Sequence, residues 1–563
     1  MGTGMDSTQM WDTHEVLNQF DELAGFNLLE ADPALAEALK RNGAMHHVPW
    51  LSRYAQQLGE PATWALAEQA NRHTPALHRF DARGRRIDSV EFHPAWHALM
   101  ELHRQQGLIS LPFEDRRPGR WSAWAAGFYL HGQVEQGTLC PATMTTAAIA
   151  LLQKEPALWQ LLQDKLYSHA YDPRDAPVAG KASMWLGMGM TEKQGGSDVR
   201  ANTTVAMPVH AGGRGGEYLL RGHKWFFSAP MCDAHLVVAR MGEGGGQACF
   251  YVPRWRPDGT KNAVRVQRLK DKVGNRSNSS SEVEFEDAWG ILMGEEGRGI
   301  PTIIEMATYT RLNCVLGSAA ILRSATVQAL AYARRRSVFG KRLAEQPLMR
   351  SVLADLALES EAALQIAMRL AQAYERDSDD GGDPLERAWK RIMTPAAKFW
   401  VCKRGVELTG EAMEVLGGNG YVDTGVMARL FREAPVNSIW EGSGNVMCLD
   451  VLRAISREPD GAQLLLQDLT DTAAGEPALL QQAQSLARRL SGPPDQLEAQ
   501  ARRLVQDLVL LAQACLLRRH APPAMADGFI ATRLGAQQGA MVAGAFDPAG
   551  LDIAAILQRA LPA

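Results

Sequence analysis

The sequence predicts an α+β protein in which an N-terminal helical domain, a middle β-barrel, a C-terminal four-helix-bundle domain and an extra helical C-terminal domain follow one another. Three observations predict this order. Apolar residues recur at helical spacing up to about residue 181, short β-prone runs between glycine-rich turns continue to about residue 294, and long helical patterns return after that. The chain has 563 residues, which is more than one hydrophobic core can hold.

The composition excludes several classes of protein. The 59 basic and 63 acidic residues give a net charge of -4, so a role in nucleic-acid binding needs a local basic patch. The seven cysteines are scattered and never spaced as Cys-x-x-Cys, which argues against a disulfide framework and a zinc site. The N-terminus lacks an apolar leader, and no segment approaches the roughly 18 apolar residues of a spanning helix. We therefore expect a cytoplasmic protein with no membrane contact.

The N-terminal part divides into a polar arm, residues 1–38, and a helical domain, residues 39–181. We expect the apolar cluster of the arm, Phe20 to Leu29, to dock on another part of the protein or to make oligomer contacts with a neighbouring subunit. In the helical domain, apolar residues recur at the spacing of a helix face, as at residues 121, 124, 125 and 128. The segment is therefore expected to be helical throughout.

Two histidine pairs in the helical domain raise the question of a metal. His93 and His97 lie four residues apart, and His46 and His47 are adjacent. Histidines at this spacing on one helix can bind a metal. No nearby cysteine or acid obviously completes a ligand set, so we expect ordinary polar packing and no metal.

The middle segment, residues 182–294, predicts a compact β-barrel. Six β-prone runs are separated by turns rich in glycine. These runs cover residues 203–207, 218–220, 236–239, 249–252, 264–266 and 282–285. Residues 295–455 then return to helical periodicity, and the longest patterns, at 303–337, 347–374 and 388–416, are long enough for bundle helices.

The last segment, residues 456–563, forms the predicted helical extension. It contains no lysine, nine arginines and eleven acidic residues, so its net charge is minus two. Six of the arginines stand in adjacent pairs. Such pairs among acids usually form a solvated helix face, but a cationic groove results if the arginines and the acids lie on different faces.

The stretch Asn437-Ser438-Ile439-Trp440-Glu441-Gly442-Ser443-Gly444-Asn445 carries a candidate general base. One acid stands between a bulky aromatic residue and small residues that allow close approach of another molecule. Desolvation beside Trp440 would raise the pKa of Glu441 towards working pH. The alternative is an exposed acid in a loop at the start of a helix.

Three more stretches suit a planar cofactor. The loop at residues 187–199 combines glycines, hydroxyls and backbone N–H groups, which can bind carbonyl or phosphate oxygens. The aromatic run at residues 223–228 is wide enough to stack on a ring system, although core packing is the usual role of such a run. The glycines at residues 417–420 suit a pyrophosphate or a plain turn.

Together these segments resemble the acyl-CoA dehydrogenase superfamily over most of residues 40–455. The motifs are specific as a set: Met-Thr-Glu-x-x-Gly-Gly-Ser-Asp, Lys-Trp-Phe-Phe-Ser, Arg-Ser-Val-Phe-Gly from Arg336, Gln346, Leu-Gly-Gly-Asn-Gly-Tyr and Trp-Glu-Gly-Ser-Gly-Asn. The resemblance implies an acyl-CoA dehydrogenase-like fold, FAD as cofactor, an acyl-CoA substrate and a homotetramer that is a dimer of dimers.

Site residues follow from the resemblance. It implies Glu441 as catalytic base, with a thioester substrate whose α-proton the base removes, and Arg311 as a substrate-binding residue. The implied FAD contacts within one subunit are Met188, Gly189, Met190, Thr191, Gly196, Ser197, Trp225, Phe226, Phe227, Ser228, Ile439, Trp440, Gly442, Ser443, Gly444 and Asn445, with Trp225 against the flavin ring. The implied contacts to the adenosine and pyrophosphate end, commonly in the neighbouring subunit's site, are Arg336, Phe339, Gln346, Gly417, Gly418, Asn419 and Gly420.

Three positions depart from the family pattern. Thr308 stands where many members carry an acid that helps to bind coenzyme A, which puts thioester affinity in doubt. Thr310 stands where a subset of the family places its base, so Glu441 has no rival. Phe227 stands where we expect the hydroxyl residue that bonds to the flavin, a change of roughly 1 kcal/mol either way.

A closer resemblance lies in the Gly-Asn-Arg-Ser-Asn run at residues 274–278 and in the extension. Both are similar to a branch of the superfamily that serves the adaptive response to DNA alkylation and binds double-stranded DNA through its extension. The implied DNA-binding residues are Arg453, Arg457, Arg488, Arg489, Arg502, Arg503, Arg518 and Arg519. The alternative is a metabolic acyl-CoA dehydrogenase with Glu441 as base and no role on DNA.

Overall fold

The N-terminal part is helical, as predicted, in a computed structural model that describes residues 13–242, 245–378, 382–535 and 542–562. Residues 1–12 of the predicted arm lie outside these ranges. The helices are α1 (Pro33–Arg41), α2 (Val48–Gly59), α3 (Pro61–Arg72), α4 (Pro94–Gln105), α5 (Leu111–Glu114), α6 (Arg120–Gly132), α7 (Leu139–Leu152) and α8 (Pro156–Tyr167). Asp32 caps α1 because its side chain accepts a hydrogen bond from the backbone N–H of Leu35.

A β-hairpin interrupts this helical domain and was not predicted. Its strands, β1 (Ala76–Phe80) and β2 (Arg86–Glu91), pair antiparallel. The hairpin reaches the barrel, because Arg86 donates a hydrogen bond to the carbonyl of Val266 and Leu77 packs against the barrel core. It therefore links the first domain to the second.

The middle domain is the predicted β-barrel. Its strands are β3 (Leu186–Gly189), β4 (Val205–Pro208), β5 (Glu217–Ser228), β6 (Ala234–Met241), β7 (Gln247–Pro253), β8 (Val264–Leu269) and β9 (Ser280–Met293). The order β6-β4-β5-β9-β7 closes through the pairing of β7 with β6, while β3 adds to β6 and β8 adds to β9. The barrel has its own core, which includes Tyr218, Phe227, Phe250 and Phe285.

The C-terminal bundle is built around a long central helix. The elements are α9 (Gly299–Arg335), the short hairpin β10 (Ser337–Val338) and β11 (Lys341–Arg342), α10 (Pro347–Ser378), α11 (Pro384–Ala388), α12 (Thr394–Val415), α13 (Gly418–Tyr421), α14 (Val426–Ile439) and α15 (Gly444–Arg457). With 37 residues, α9 is about 55 Å long. It is long and apolar enough to cross a membrane, contrary to expectation, but its most apolar part is wholly buried in the protein. It is thus a core helix of the bundle.

The extension is helical and packs on the bundle. Its helices are α16 (Pro459–Ala473), α17 (Pro477–Leu490), α18 (Pro494–Ala499), α19 (Ala501–His520), α20 (Pro523–Arg533) and α21 (Ile553–Ala560). Helix α19 is buried along most of its length and contacts both α10 and α12. The last helix returns to the N-terminal domain, where Arg559 bridges Glu37 and Glu361.

The cysteines and histidines take structural positions. All seven cysteines are free and buried. His93 caps α4, and the ring of His97 is hydrogen-bonded to the hydroxyl of Tyr171 at 2.6 Å. His46, His47 and Asp115 come within 4.8 Å of one another, but Nδ1 of His47 accepts a hydrogen bond from Trp50. In the neutral ring the proton therefore sits on Nε2, the nitrogen that faces Asp115.

Candidate functional site

A cavity of about 670 Å³ lies where the barrel meets the two helical domains. Its size is in the range of small-molecule sites. Its walls come from the segments that the sequence singled out. Of the predicted site residues, it is lined by Met188, Met190, Thr191, Gly196, Ser197, Trp225, Phe226, Ser228, Arg311, Ile439, Trp440, Glu441, Gly442 and Ser443.

A buried ion pair shapes the loop after β3. Glu192 and Lys224 are 2.7 Å apart with both side chains fully buried, so the loop is fastened to β5. The same carboxylate accepts hydrogen bonds from the backbone N–H groups of Thr203 and Thr204. Burial opposes its ionisation, but Lys224 and these donors outweigh burial and lower the pKa of Glu192 to about 2. The loop that carries Thr191 and Ser197 is therefore held in one conformation.

The end of β5 presents two aromatic rings and a hydroxyl to the cavity. Trp225, Phe226 and Ser228 line it, and Phe226 is 49% exposed. The ammonium group of Lys270 lies 3.7 Å from the centre of the Trp225 ring and 4.5 Å from that of Phe226. The ammonium group therefore stands over the Trp225 ring and places a positive charge at this aromatic wall, which suits a ligand with anionic groups.

Phe227 faces the other way, which corrects an expectation. Its ring is buried in the barrel core and stacks on His235 with ring centres 3.8 Å apart. The pairing of β5 with β9 shifts register between Lys224 and Phe227, so simple alternation fails here. The cavity consequently receives the hydroxyl of Ser228 rather than the ring of Phe227.

Glu441 lies on the wall formed by the bundle. It stands in the loop between α14 and α15 with a positive φ of 59°, and its carboxylate accepts a hydrogen bond of 2.7 Å from the hydroxyl of Thr310 on α9. Burial raises the pKa of Glu441, while Thr310 and the charges of Arg311 and Lys398 partly oppose this shift. A carboxylate whose pKa is raised is a stronger base than an ordinary one, which suits Glu441 to accept a proton.

Two buried cations hold the backbone of this loop. Lys398 donates to the carbonyls of Trp440 at 2.7 Å and Gly442 at 2.5 Å, and Nε of Arg311 donates to the carbonyl of Glu441 at 3.1 Å. Arg311 also forms an ion pair of 2.8 Å with Asp450. Arg311 reaches the cavity, but its charge is already engaged in holding the loop.

A second buried carboxyl faces the cavity. Glu433 on α14 is fully enclosed and accepts hydrogen bonds from the backbone N–H and, at 3.4 Å, the side chain of Asn275. Burial and the nearby charge of Glu135 raise the pKa of Glu433 to about 7. No sequence pattern marks this residue, since its burial depends on the distant turn at Asn275.

Several predicted FAD contacts lie elsewhere among the described residues. Gly189 and Gly444 sit behind the cavity wall, where a side chain would meet Phe227 and Lys403 respectively. Asn445 is exposed and accepts a hydrogen bond from Arg502 of the extension at 3.3 Å.

The remaining predicted contacts, Arg336, Phe339, Gln346 and Gly417 to Gly420, form a separate region. Phe339 is 100% exposed at the tip of the β10–β11 hairpin. The arm reaches this region, because Arg336 donates to the carbonyl of Asn18 and Asn419 donates to Gln19. None of these residues lines the described cavity.

The predicted DNA-binding arginines divide into two groups. Arg489, Arg518 and Arg519 are paired with acids, at 2.7 Å to Asp507, 2.7 Å to Asp527 and 2.8 Å to Asp468. Arg453 lies 3.6 Å from Asp450. The second group of predicted DNA-binding arginines is exposed and has no acidic partner within 4 Å among the described residues. It consists of Arg457, Arg488, Arg502 and Arg503.

An aromatic wall and a buried carboxylate line one cavity at the junction of helical domain, barrel and bundle, the arrangement expected from the resemblance to acyl-CoA dehydrogenases. The sequence comparisons agree. Residues 187–288 match the family described as acyl-CoA dehydrogenase, middle domain, and residues 297–456 match acyl-CoA dehydrogenase, C-terminal domain. The chain belongs to the acyl-CoA dehydrogenase family.

The N-terminal domain gives the finer placement. Residues 18–173 match the family described as adaptive response protein AidB N-terminal domain. The chain is 46% identical to AidB of Escherichia coli (strain K12) over 531 residues, which are 94% of this chain and 96% of that one. Within the family it therefore groups with AidB.

Solved structures show the same fold. Caenorhabditis elegans ACDH-11 in complex with C11-CoA superposes with a TM-score of 0.83 at 24% identity, covering 97% of this chain and 96% of that one. An acyl-CoA dehydrogenase of Bacillus anthracis complexed with FAD gives a TM-score of 0.65 at 16% identity, covering 92% and 87%. Both confirm the predicted architecture.

Proposed function

We propose that the chain is an FAD-containing acyl-CoA dehydrogenase homologue of the adaptive response to DNA alkylation. In this proposal it binds double-stranded DNA through its C-terminal extension and has weak, isovaleryl-CoA-like dehydrogenase activity. The observation that carries the flavin part is the carboxylate of Glu441, held by Thr310 on the wall of the cavity that Trp225 and Phe226 also line.

The residues of the cavity fit FAD, the cofactor of this family. Thr191, Ser197 and Ser228 supply hydroxyls on the barrel side, and Trp225 with Phe226 supplies a stacking surface. When bound, FAD supplies the oxidant that accepts a hydride from the β-carbon of the substrate. The chain itself contributes the shape of the cavity and the proton acceptor.

The proton step belongs to Glu441. A thioester carbonyl makes the neighbouring α-hydrogen acidic, and an ionised carboxylate beside it can take that hydrogen as a proton. Because Lys398 and Arg311 fix three successive carbonyls of the loop, the carboxylate keeps its position while the proton moves. Thr310 keeps one oxygen bonded, which leaves the other free to act.

The separate region around Arg336, Phe339 and the glycines at 417–420 suggests a partner subunit. Phe339, Leu348 and Tyr421 expose large apolar surface there. An exposed patch of this kind marks a protein interface. We propose that this region reaches the adenosine and pyrophosphate end of FAD in a neighbouring subunit of a homotetramer.

The four arginines without acidic partners support the DNA part of the proposal. Arg488 ends α17 and Arg503 begins α19, the helices joined by the ion pair between Arg489 and Asp507. Exposed guanidinium groups bind phosphates well. The net charge of the extension is minus two, so DNA binding requires these arginines to face the duplex while the unpaired acids face away from it.

The dehydrogenase part is tested by following the visible absorbance of the purified flavoprotein during anaerobic addition of isovaleryl-CoA. Bleaching is expected for the native protein and is expected to be lost in Glu441→Gln, with FAD still bound. Glu458→Gln, which changes an exposed acid at the end of α15, is the matched control. Bleaching that persists in Glu441→Gln would show that another residue is the base.

The DNA part is tested by titrating a duplex at several salt concentrations. The logarithm of the DNA-binding constant falls linearly with the logarithm of the salt concentration, and each phosphate contact adds about 0.9 to the steepness of this fall. Replacing Arg457, Arg488 and Arg503 by glutamine should therefore make the slope less steep by about 3. Arg518→Gln, at an arginine paired with two acids, is the control and should change the slope little. Rapid acyl-CoA turnover with no DNA binding below about 100 mM salt would favour the metabolic alternative.

A further inference from the structure

One face of α9 forms a long wall of the cavity. The residues of this stripe recur at helical spacing: Ile304, Ala307, Thr310, Cys314, Gly317 and Ile321. They span 17 residue steps, or about 25 Å. Ile304 is 36% exposed at one end and Ile321 is 1% exposed at the other, so the cavity is open near Ile304 and closed near Ile321.

Thr310 marks the depth in the cavity at which the substrate reacts. Its hydroxyl holds Glu441, so the carbon that loses a proton must lie beside it. Beyond this level, towards Ile321, the wall includes Phe128, Leu139 and Met144. An acyl tail that extends past Glu441 thus enters a mostly apolar space.

Asn313 differs from the polar residues Glu433 and Asn437 of the same wall because, among the described residues, both polar atoms of its amide are unpaired. It lines the cavity one turn beyond Thr310 and is 4% exposed. Neither its Nδ2 nor its Oδ1 has a hydrogen-bond partner among the described residues. Buried amides are normally paired, because an unpaired one loses its bonds to water and gains none in return. The amide has two N–H groups to donate and an oxygen that accepts, so it can pair with a hydroxyl or a carbonyl.

Given the dehydrogenase activity proposed above, we infer that Asn313 selects acyl thioesters that carry a hydroxyl or carbonyl group beyond the carbons that react. Asn313 follows Thr310 by three residue steps of the helix, which is about 4.5 Å along the axis. Three to four bonds of about 1.5 Å in a zigzag chain cover this distance. The polar group therefore belongs on carbon 4 or carbon 5 of the acyl chain, whereas a plain hydrocarbon tail leaves the amide unpaired.

The test compares substrates that differ only in this group. 4-Hydroxypentanoyl-CoA and 4-methylpentanoyl-CoA have the same shape, with a hydroxyl in one where the other has a methyl, and a second pair places the groups on carbon 5. For the native holoenzyme we expect kcat/KM to favour the hydroxyl substrate of at least one pair by about 10-fold or more. In Asn313→Leu, which keeps the size of the side chain, this preference should disappear or reverse.

A matched control separates recognition from stability. Gln513 in α19 is also a buried amide with both polar atoms unpaired, but it does not line the cavity. Gln513→Leu should keep the native preference. Equal kcat/KM values within both native pairs would mean that the amide pairs only with water, and they would overturn the inference. Loss of FAD or a shifted flavin spectrum in Asn313→Leu would assign the amide to the cofactor, which also overturns it.

The proposed activity and this inference can fail separately. Dissociation constants of the same thioesters are measured with Glu441→Gln, in which the proton step is blocked. If they show the hydroxyl preference while the native holoenzyme gives no turnover, the inference stands and the dehydrogenase activity is refuted. If neither binding nor turnover occurs, both are refuted.

Discussion

Replacing Lys224 by methionine should unfasten the loop that carries Thr191 and Ser197. The change keeps the length of the side chain but leaves Glu192 as an uncompensated carboxylate in a fully buried position. Removing one partner of a buried ion pair costs about 3 to 5 kcal/mol. Because both side chains are fully buried, solvent screening does not reduce this figure. The remaining donors, Thr203 and Thr204, offset part of it.

Two measurements follow the effect of Lys224→Met. Thermal unfolding should begin at a lower temperature, and FAD should dissociate more readily, since the loop that the ion pair fastens lines the cavity. The double variant Lys224→Met with Glu192→Gln removes the isolated charge and should recover most of the loss. A single variant as stable as the native protein, or a double variant worse than the sum of the two singles, would refute the role assigned to the pair.

The stability that the same ion pair contributes depends on pH. The pKa of Glu192 is lowered from its usual 4.5 to about 2 in the folded protein. Such a carboxyl stabilises the fold above pH 4.5, and the stabilisation is lost as the pH falls from 4.5 towards 2. The native protein should lose stability over this range more steeply than the double variant.

Further predictions concern Glu441 and its loop. Thr310→Val removes a donor that lowers the pKa of Glu441, so the acid limb of the pH profile of kcat/KM should move to higher pH, whereas Thr310→Ser should restore it. An unchanged profile in Thr310→Val would contradict this. Lys398→Met frees the carbonyls of Trp440 and Gly442, so kcat should fall about 10- to 100-fold while FAD is retained. Lys403→Met, at a neighbouring lysine, is the control. Equal kcat values for the two variants would argue against the role of Lys398.

The order of domains could be predicted because the spacing of apolar residues within each segment indicates helices or strands. The helical and strand patterns are both short-range features, and the structure confirms the helices, the barrel and the bundle. The hairpin β1–β2 escaped notice because its residues are mostly exposed and polar, so no alternation of apolar residues marks it. It gains its stability from the barrel strand β8, which lies far away in the sequence.

The candidate site was predictable in its parts but not in its side-chain directions. The motif around Glu441 and the loop near Thr191 come together as expected. The irregular pairing near Phe227 cannot be read from residue types, since it depends on the partner strand β9. The same limit applies to Arg311, whose charge is taken up by Asp450, a residue 139 positions away.

The basic residues of the extension show most clearly that side-chain directions cannot be predicted from residue types. The resemblance implied DNA binding by both members of each pair, but among the described residues Arg488 has no acidic partner within 4 Å, while Arg489 is bound to Asp507. Neighbours in a helix point in directions about 100° apart, so each meets a different surface. Which arginine faces water is decided by the packing of α17 on α19.

The attachment of the last helix affects how this protein can be dissected. Arg559 bridges Glu37 of α1 and Glu361 of α10, and Arg323 donates to the carbonyl of Ala560. Helices α1 and α21 are thus tied to the same interior. Excising residues 456–563 for nucleic-acid assays would strip α19 of the surface on which it rests, so studies of this region call for the whole chain.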